Sequence, residues 1–139
     1  MIFLEKYKYV VVPLAVWFFI QVFKIVYEAI KNKDIDLKRI TGAGGMPSAH
    51  SAVVTSLATL IGKFEGIDSS NFAIAFVFAC IVMYDACGVR RAAGKHAMIL
   101  NKMTKSEGMS KGGLIENIGH TPIQVVAGAI IGIFVGLIF

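Results

Sequence analysis

The chain has 139 residues, 56% of them hydrophobic, and its mean hydropathy of +0.70 lies well above that of soluble domains, which excludes a disordered segment and an ordinary water-soluble fold. Fourteen Lys and Arg against nine Asp and Glu leave a net charge of +5; a nucleic-acid-binding surface would not bring this hydropathy with it, so the basic excess points instead to an anionic partner at a membrane. One domain covering 1–139 is expected at this length, with a bilayer supplying burial that so short a soluble chain would struggle to find.

The expected fold is an all-α integral membrane bundle of about four transmembrane helices. Four stretches approach the roughly 20 residues that a crossing helix needs: Tyr9–Ile30, Pro47–Phe64, Asn71–Val89 and Pro122–Phe139. The first could be mistaken for a signal peptide, but no small-residue cleavage site follows it and its apolar part is long, so it reads as a retained span. Lys24 and Glu28 lie within it one helical turn apart, placed to pair or snorkel. Cys80 and Cys87 fall about two turns apart on the third span, roughly 10 Å, which is too far for a disulfide. The connection from Arg90 to Thr121 is too long for a plain turn and predicts a surface helix over Ala92–Met103, then a glycine-rich stretch, Gly108–Gly113. Gly128, Gly132 and Gly136 form a smooth stripe on the last span; packing against a helix of the same chain, with Ser48, Ala52 and Ser56 as natural neighbours, is the simpler reading, and a homodimer seam the alternative.

Basic residues orient these spans, because short basic loops stay in the cytoplasm. Lys6, Lys8 and Lys63 fall on one side; Lys31, Lys33, Lys38, Arg39, Arg90, Arg91, Lys95, Lys102, Lys105 and Lys111 fall on the other, ten against three. Both termini are therefore expected outside the cell. The second and fourth spans then both begin on the cytoplasmic side, at Thr41-Gly-Ala-Gly-Gly-Met-Pro-Ser-Ala-His50 and Gly119-His-Thr-Pro122. Two helix N-termini, with their open N–H groups and positive dipole ends, make a site suited to an anion. Gly42, Gly44 and Gly45 let backbone approach a phosphate, and Pro47 and Pro122 suit a first helical turn.

The third span delivers Asp85, an ionisable group costly at that depth, and Arg90-Arg91 to the same face. Taken singly, a glycine run is usually a turn and a basic pair usually a topology anchor. Together with His50 and His120 they supply the parts of phosphoryl transfer: one imidazole to attack, one to protonate the leaving oxygen, and cations to hold charge. A zinc site from His50, His120, Asp85 and His96 lacks any paired ligand spacing. Residues 42–47 lack the ending of a P-loop, and Ser48 and Ser51 sit on no nucleophile elbow.

Met46-Pro-Ser-Ala-His-Ser51 and His120-Thr-Pro-Ile-Gln-Val-Val-Ala-Gly128 resemble two signature segments of the type-2 phosphatidic acid phosphatase and vanadium haloperoxidase superfamily. With Met83-Tyr-Asp-Ala-Cys-Gly-Val-Arg-Arg-Ala-Ala-Gly94, they look like its small divergent bacterial and plant branch, a similarity running from about Thr41 to Gly132. The resemblance implies that His120 is the nucleophile that becomes phosphorylated. It also implies that His50, following Pro47 and Ser48, protonates the leaving group. Three departures stand out. Gln124 falls where the superfamily has an aspartate, Gly113 and Leu114 fall where it has Ser-Arg, and its first motif has no clear copy. Arg90, Arg91 and Lys95 are the expected substitutes for the missing clamps, and Asp85 or Glu116 for the missing acid.

The leading expectation is a phosphatase acting, without a cofactor, on a phosphomonoester or pyrophosphate of a lipid. The lipid is of phosphatidate, phosphatidylglycerophosphate or polyprenyl phosphate type, and the reaction passes through a phosphohistidine at the cytoplasmic face. His120, His50 and Asp85 are the expected catalytic residues; Gly44, Gly45, Ser48, Arg90, Arg91, Lys95 and Gln124 are expected to bind substrate. A non-catalytic lipid-phosphate binder, carrier or assembly protein is the alternative, and a scaffold dimerising through the glycine stripe the third reading.

Overall fold

A computed structural model describes residues 2–32, 45–106 and 113–139. These form five helices and no strand: α1 (Ile2–Asn32), α2 (Ala49–Glu65), α3 (Ser70–Cys87), α4 (Val89–Ser106) and α5 (Pro122–Ile138). Residues 33–44 and 107–112 lie outside the described residues, and with them Gly42, Gly44, Lys33, Lys38, Arg39, Lys111 and most of the stretch Gly108–Gly113.

α2 is the inner helix. It packs on α5 most extensively, and on α1 and α3, and it buries Ala49, Ser51, Ala52, Val54, Thr55, Ser56, Ala58 and Leu60. Its hydroxyls are satisfied within this interior: Thr55 Oγ1 donates to the Ser51 carbonyl at 2.8 Å, and Ser56 Oγ to that of Val53 at 2.8 Å. Large apolar side chains instead face outward on α1 (Leu14, Phe18, Phe19), α3 (Ile74, Phe78, Ile81) and α5 (Ile130, Phe134, Leu137). Small residues inside and bulky apolar ones outside is the arrangement helices adopt when the surroundings are as apolar as the side chains.

The glycine stripe fixes the α2–α5 contact. A Cβ on Gly128 would collide with the Ser48 carbonyl, one on Gly132 with Thr55 Oγ1 and the Ala52 carbonyl, and one on Gly136 would stand 2.7 Å from Thr59 Cβ. Both partner series ascend together, so α2 and α5 run parallel. The Ser48 amide donates to the Gln124 carbonyl at 3.1 Å at one end, and Lys63 Nζ to the Leu137 carbonyl at 2.8 Å at the other. The stripe is thus occupied by α2 of the same chain, and a dimer seam on this face would have to displace it. α1 runs antiparallel to α2: Lys8 Nζ lies 3.0 Å from the centre of the Phe64 ring, while Lys24 reaches Gly45.

Several boundaries differ from expectation. α1 starts before Tyr9, because Glu5, Lys6 and Lys8 end a hydrophobic span without ending a helix. Pro47 is not in the first turn of α2; Ser48 is the N-cap, its Oγ accepting the Ser51 N–H, so Pro47 precedes the helix. The helix expected over Ala92–Met103 is the longer α4. Of the four expected spans, two stretches, Glu5–Ile30 and Ser70–Ser106, are long and apolar enough to cross a membrane; α5 is apolar but shorter. The 17-residue α2 falls short in hydropathy because its polar hydroxyls and glycine-matched small residues serve the interior.

Gly132→Leu is expected to wedge α2 from α5 and cost roughly 1–3 kcal/mol or more, whereas Ile130→Leu, outward on the same helix, stays within about 0.5 kcal/mol. Thermal unfolding of the detergent-solubilised protein distinguishes them.

Candidate active site at the paired ends of α2 and α5

His120 is placed by a segment that runs back along α4. Gly94 of α4 admits the backbone of Glu116 and Ile118, whose carbonyl oxygens would stand 2.6 and 2.7 Å from a Cβ there. About two turns further on, the Asn101 side chain pairs with the backbone of Leu114 in both directions, Nδ2 to the carbonyl and Oδ1 from the N–H, each at 2.8 Å. Gly119 adopts φ +87°, and a Cβ there would run into the backbone of Arg90 and Arg91; glycine meets both the left-handed conformation and the close approach. The His120 N–H then donates to the Ala86 carbonyl at 2.9 Å. The next turn is α5, opened by Thr121 as N-cap.

His120 is buried, 3% exposed, and its Nδ1 has no hydrogen-bond partner among the described residues. Burial holds its pKa below the ordinary 6.5, helped by the charge of Lys24 and by His50; the Gln124 side chain and the Gly45 backbone beside the ring work in the opposite sense. His50, in the first turn of α2 and half-buried, feels Arg90, Lys24 and Asp85. Arg90 Nε is paired with Asp85 Oδ2 at 2.5 Å. One cluster therefore holds both imidazoles, Lys24, Arg90 with its Asp85 partner, Gly45, Ser48 and Gln124. Gly45 adopts φ +91°, and the Lys24 side chain passes 3.9 Å from where its Cβ would stand.

The sequence expectations divide on this geometry. Arg91 and Lys95 are exposed on α4 and are not among the charges acting on the two histidines, because Gly94 and Ala97, not they, occupy the inward face. Glu116 is not a substitute acid for His120; it is exposed and accepts Asn101 Nδ2 at 2.8 Å. Asp85 acts on Arg90 and His50, so the group beside His120 is Gln124. Its Oε1 also accepts the Thr121 N–H at 2.9 Å, while Thr121 Oγ1 accepts the Gln124 N–H at 3.4 Å. This capping box and Pro122 at the start account for the first turn of α5 apart from the Ile123 N–H, which has no intrahelical acceptor. The open N–H groups facing the cluster are those of α2, where Ala49 and His50 have no intrahelical acceptor. Gly44 lies outside the described residues.

Lys24 was legible only as a charge inside a span; an ionisable group at that depth is a functional candidate in its own right. Thr121-x-x-Gln124 was visible as a capping-box pattern.

The family model described as the divergent PAP2 family matches residues 6–135. The chain is 39% identical over 140 aligned positions to the uncharacterized membrane protein YuiD of Bacillus subtilis (strain 168), with 90% of this chain and 89% of that protein covered. No solved structure matches.

Asn101→Ala is expected to release residues 113–120 from α4, at about 0.5–1.5 kcal/mol for each hydrogen bond lost. Hydrogen exchange should quicken at Leu114–His120 and stay unchanged in α2.

Proposed function

Since the chain belongs to the divergent PAP2 family and is a membrane protein, we propose that it is a lipid phosphatase working through a phosphohistidine, with α1, α2, α3 and α5 as four crossing helices. Both termini lie outside and the site faces the cytoplasm. The ten-against-three distribution of basic residues supports that orientation, and so does the grouping of Lys8, Lys63 and the α5 C-terminus at the end away from the cluster. The substrate is a phosphomonoester or pyrophosphate on a lipid, because the cluster sits at the end of helices whose outer faces are apolar.

In this reading the His120 imidazole attacks phosphorus while the bond to the leaving oxygen breaks and His50 gives that oxygen its proton. Water then attacks the phosphohistidine, His50 taking the proton back, and phosphate departs with His120 restored. Lys24, Arg90 and the open N–H groups of α2 hold the charge that the transferring group carries. Asp85 positions Arg90. The observation that carries the proposal is the meeting of His50 and His120 in one cluster with Lys24. Burial suits His120 to the role, since its lowered pKa keeps it neutral, and so nucleophilic, at physiological pH.

A second reading, lipid-phosphate binding without cleavage, is favoured by Gln124, an uncharged amide already engaged in the α5 cap. It leaves His120 without the carboxylate that stabilises an imidazolium in hydrolytic triads.

Phosphate release by the purified protein from a panel of lipid phosphates and pyrophosphates separates the two. The phosphatase reading expects none from His120→Ala, a loss of roughly 10²–10⁴-fold in His50→Ala, and much larger losses in Lys24→Met and Arg90→Ala than in Arg91→Ala or Lys95→Ala. The acid limb of its pH profile should fall below 6.5, the ordinary histidine value. Binding that survives His→Gln at both positions, with no release from any lipid, supports the second reading.

A further inference from the structure

The helix α4 has three faces. Gly94, Ala97, Asn101 and Thr104 turn inward, toward the segment that carries His120. Val89, Ile99, Leu100 and Met103, all exposed, share a second arc at helical spacing, with Ala92, Ala93 and the exposed His96 between them. Arg91, Lys95, Lys102 and Lys105, also exposed, make up the third. Nothing among the described residues covers the second arc, and an exposed apolar arc of this kind marks an interaction surface.

Helix directions say where that surface lies. α2 and α5 run parallel, and α3 returns between them, from Phe72 against Gly62 to Ala86 against His120. If α4 crossed the bilayer, the non-helical segment Leu114–Gly119 that runs back along it would have to cross too, with backbone groups that a hydrocarbon core cannot satisfy. α4 therefore stays on the side where α3 ends. It starts directly after Gly88, whose backbone (φ −99°, ψ −91°) leaves the helical course, so its first turn is held at the bilayer surface. We propose that α4 is an interfacial helix seated on an anionic leaflet, its Val89, Ile99, Leu100 and Met103 arc in the headgroup–acyl boundary and its four basic side chains on lipid phosphates. A helix with an apolar arc beside a lysine-rich one is built for that position, with lysine stems long enough to reach headgroups from the flank. The inference rests on α3 crossing a membrane and on no part of the phosphatase chemistry, so an inactive protein leaves it open to test.

The test uses the full chain with Cys80 and Cys87 replaced and an environment-sensitive fluorophore on Ile99→Cys, with Met103→Cys as a second probe of the same arc and Met98→Cys, exposed on the far side of the helix, as the opposed one. Each protein is reconstituted in phosphatidylcholine vesicles with or without phosphatidylglycerol and titrated with acrylamide. Expected are blue-shifted emission and shielding at Ile99 and Met103 that deepen with phosphatidylglycerol, against an accessible Met98 probe. Shielding should weaken at high salt. Lys102→Gln and Lys105→Gln, in the Ile99→Cys protein, should lower the ratio of docked to free helix roughly fivefold per charge removed. Equal quenching of the Ile99 and Met103 probes in both vesicles overturns the proposal. So does shielding indifferent to phosphatidylglycerol and salt, which assigns the arc to residues 33–44 or to a second copy of the chain.

Discussion

The parallel contact of α2 with α5 is the constraint on which the rest depends. Three glycines a turn apart meet Ser48, Ala52, Thr55 and Thr59 so closely that no Cβ fits between them. Backbone approach of this kind replaces the hydrophobic drive that a bilayer does not provide between helices. It has a chemical result. Two helices in register and in the same direction must begin together, and these two begin with His50 in the first turn of one and His120 two residues before the other.

The remaining elements adjust the surroundings of that pair. α1 runs the other way and brings Lys24 to Gly45; α3 ends beside His120 and contributes Asp85, which holds Arg90. Of the basic residues of α4, Arg90 alone among those described acts at the site. The rest of the helix contributes mechanically, since Gly94 and Asn101 give the loop before His120 a surface to lie on. A buried imidazole needs such support, because its orientation is set by the backbone that delivers it and by Gln124, with no carboxylate among the described residues acting on it.

Much of this was legible in the sequence, and the reasons differ by residue. The glycine stripe is a strong local signal, and in the structure it pairs α2 with α5 in parallel, so that the two helices start at one end. The identity of the cations was not legible. Arg91 and Lys95 are neighbours of Arg90 in sequence, yet the 100° step of a helix sends them to another arc of α4, and only tertiary packing selects Lys24, some sixty positions from Arg90 along the chain. Glu116 was misplaced for a similar reason: its distance from His120 is short in sequence, but the extended segment turns its carboxylate to Asn101. Pro47 suits a first turn by propensity, and Ser48 displaces it because a hydroxyl can cap the Ser51 amide and a proline cannot. Gln124 reads as a lost catalytic acid when only the motif is considered; its capping of Thr121 explains why an amide is well accommodated there.

The most direct test of the account is to quench the protein during turnover of a cleavable lipid phosphate and to map any covalent phosphate by mass spectrometry under conditions that preserve phosphohistidine. The account predicts phosphate on the peptide carrying His120 and none in the His120→Ala protein. Rapid phosphate release with no label on His120, or a label on another residue, would contradict it.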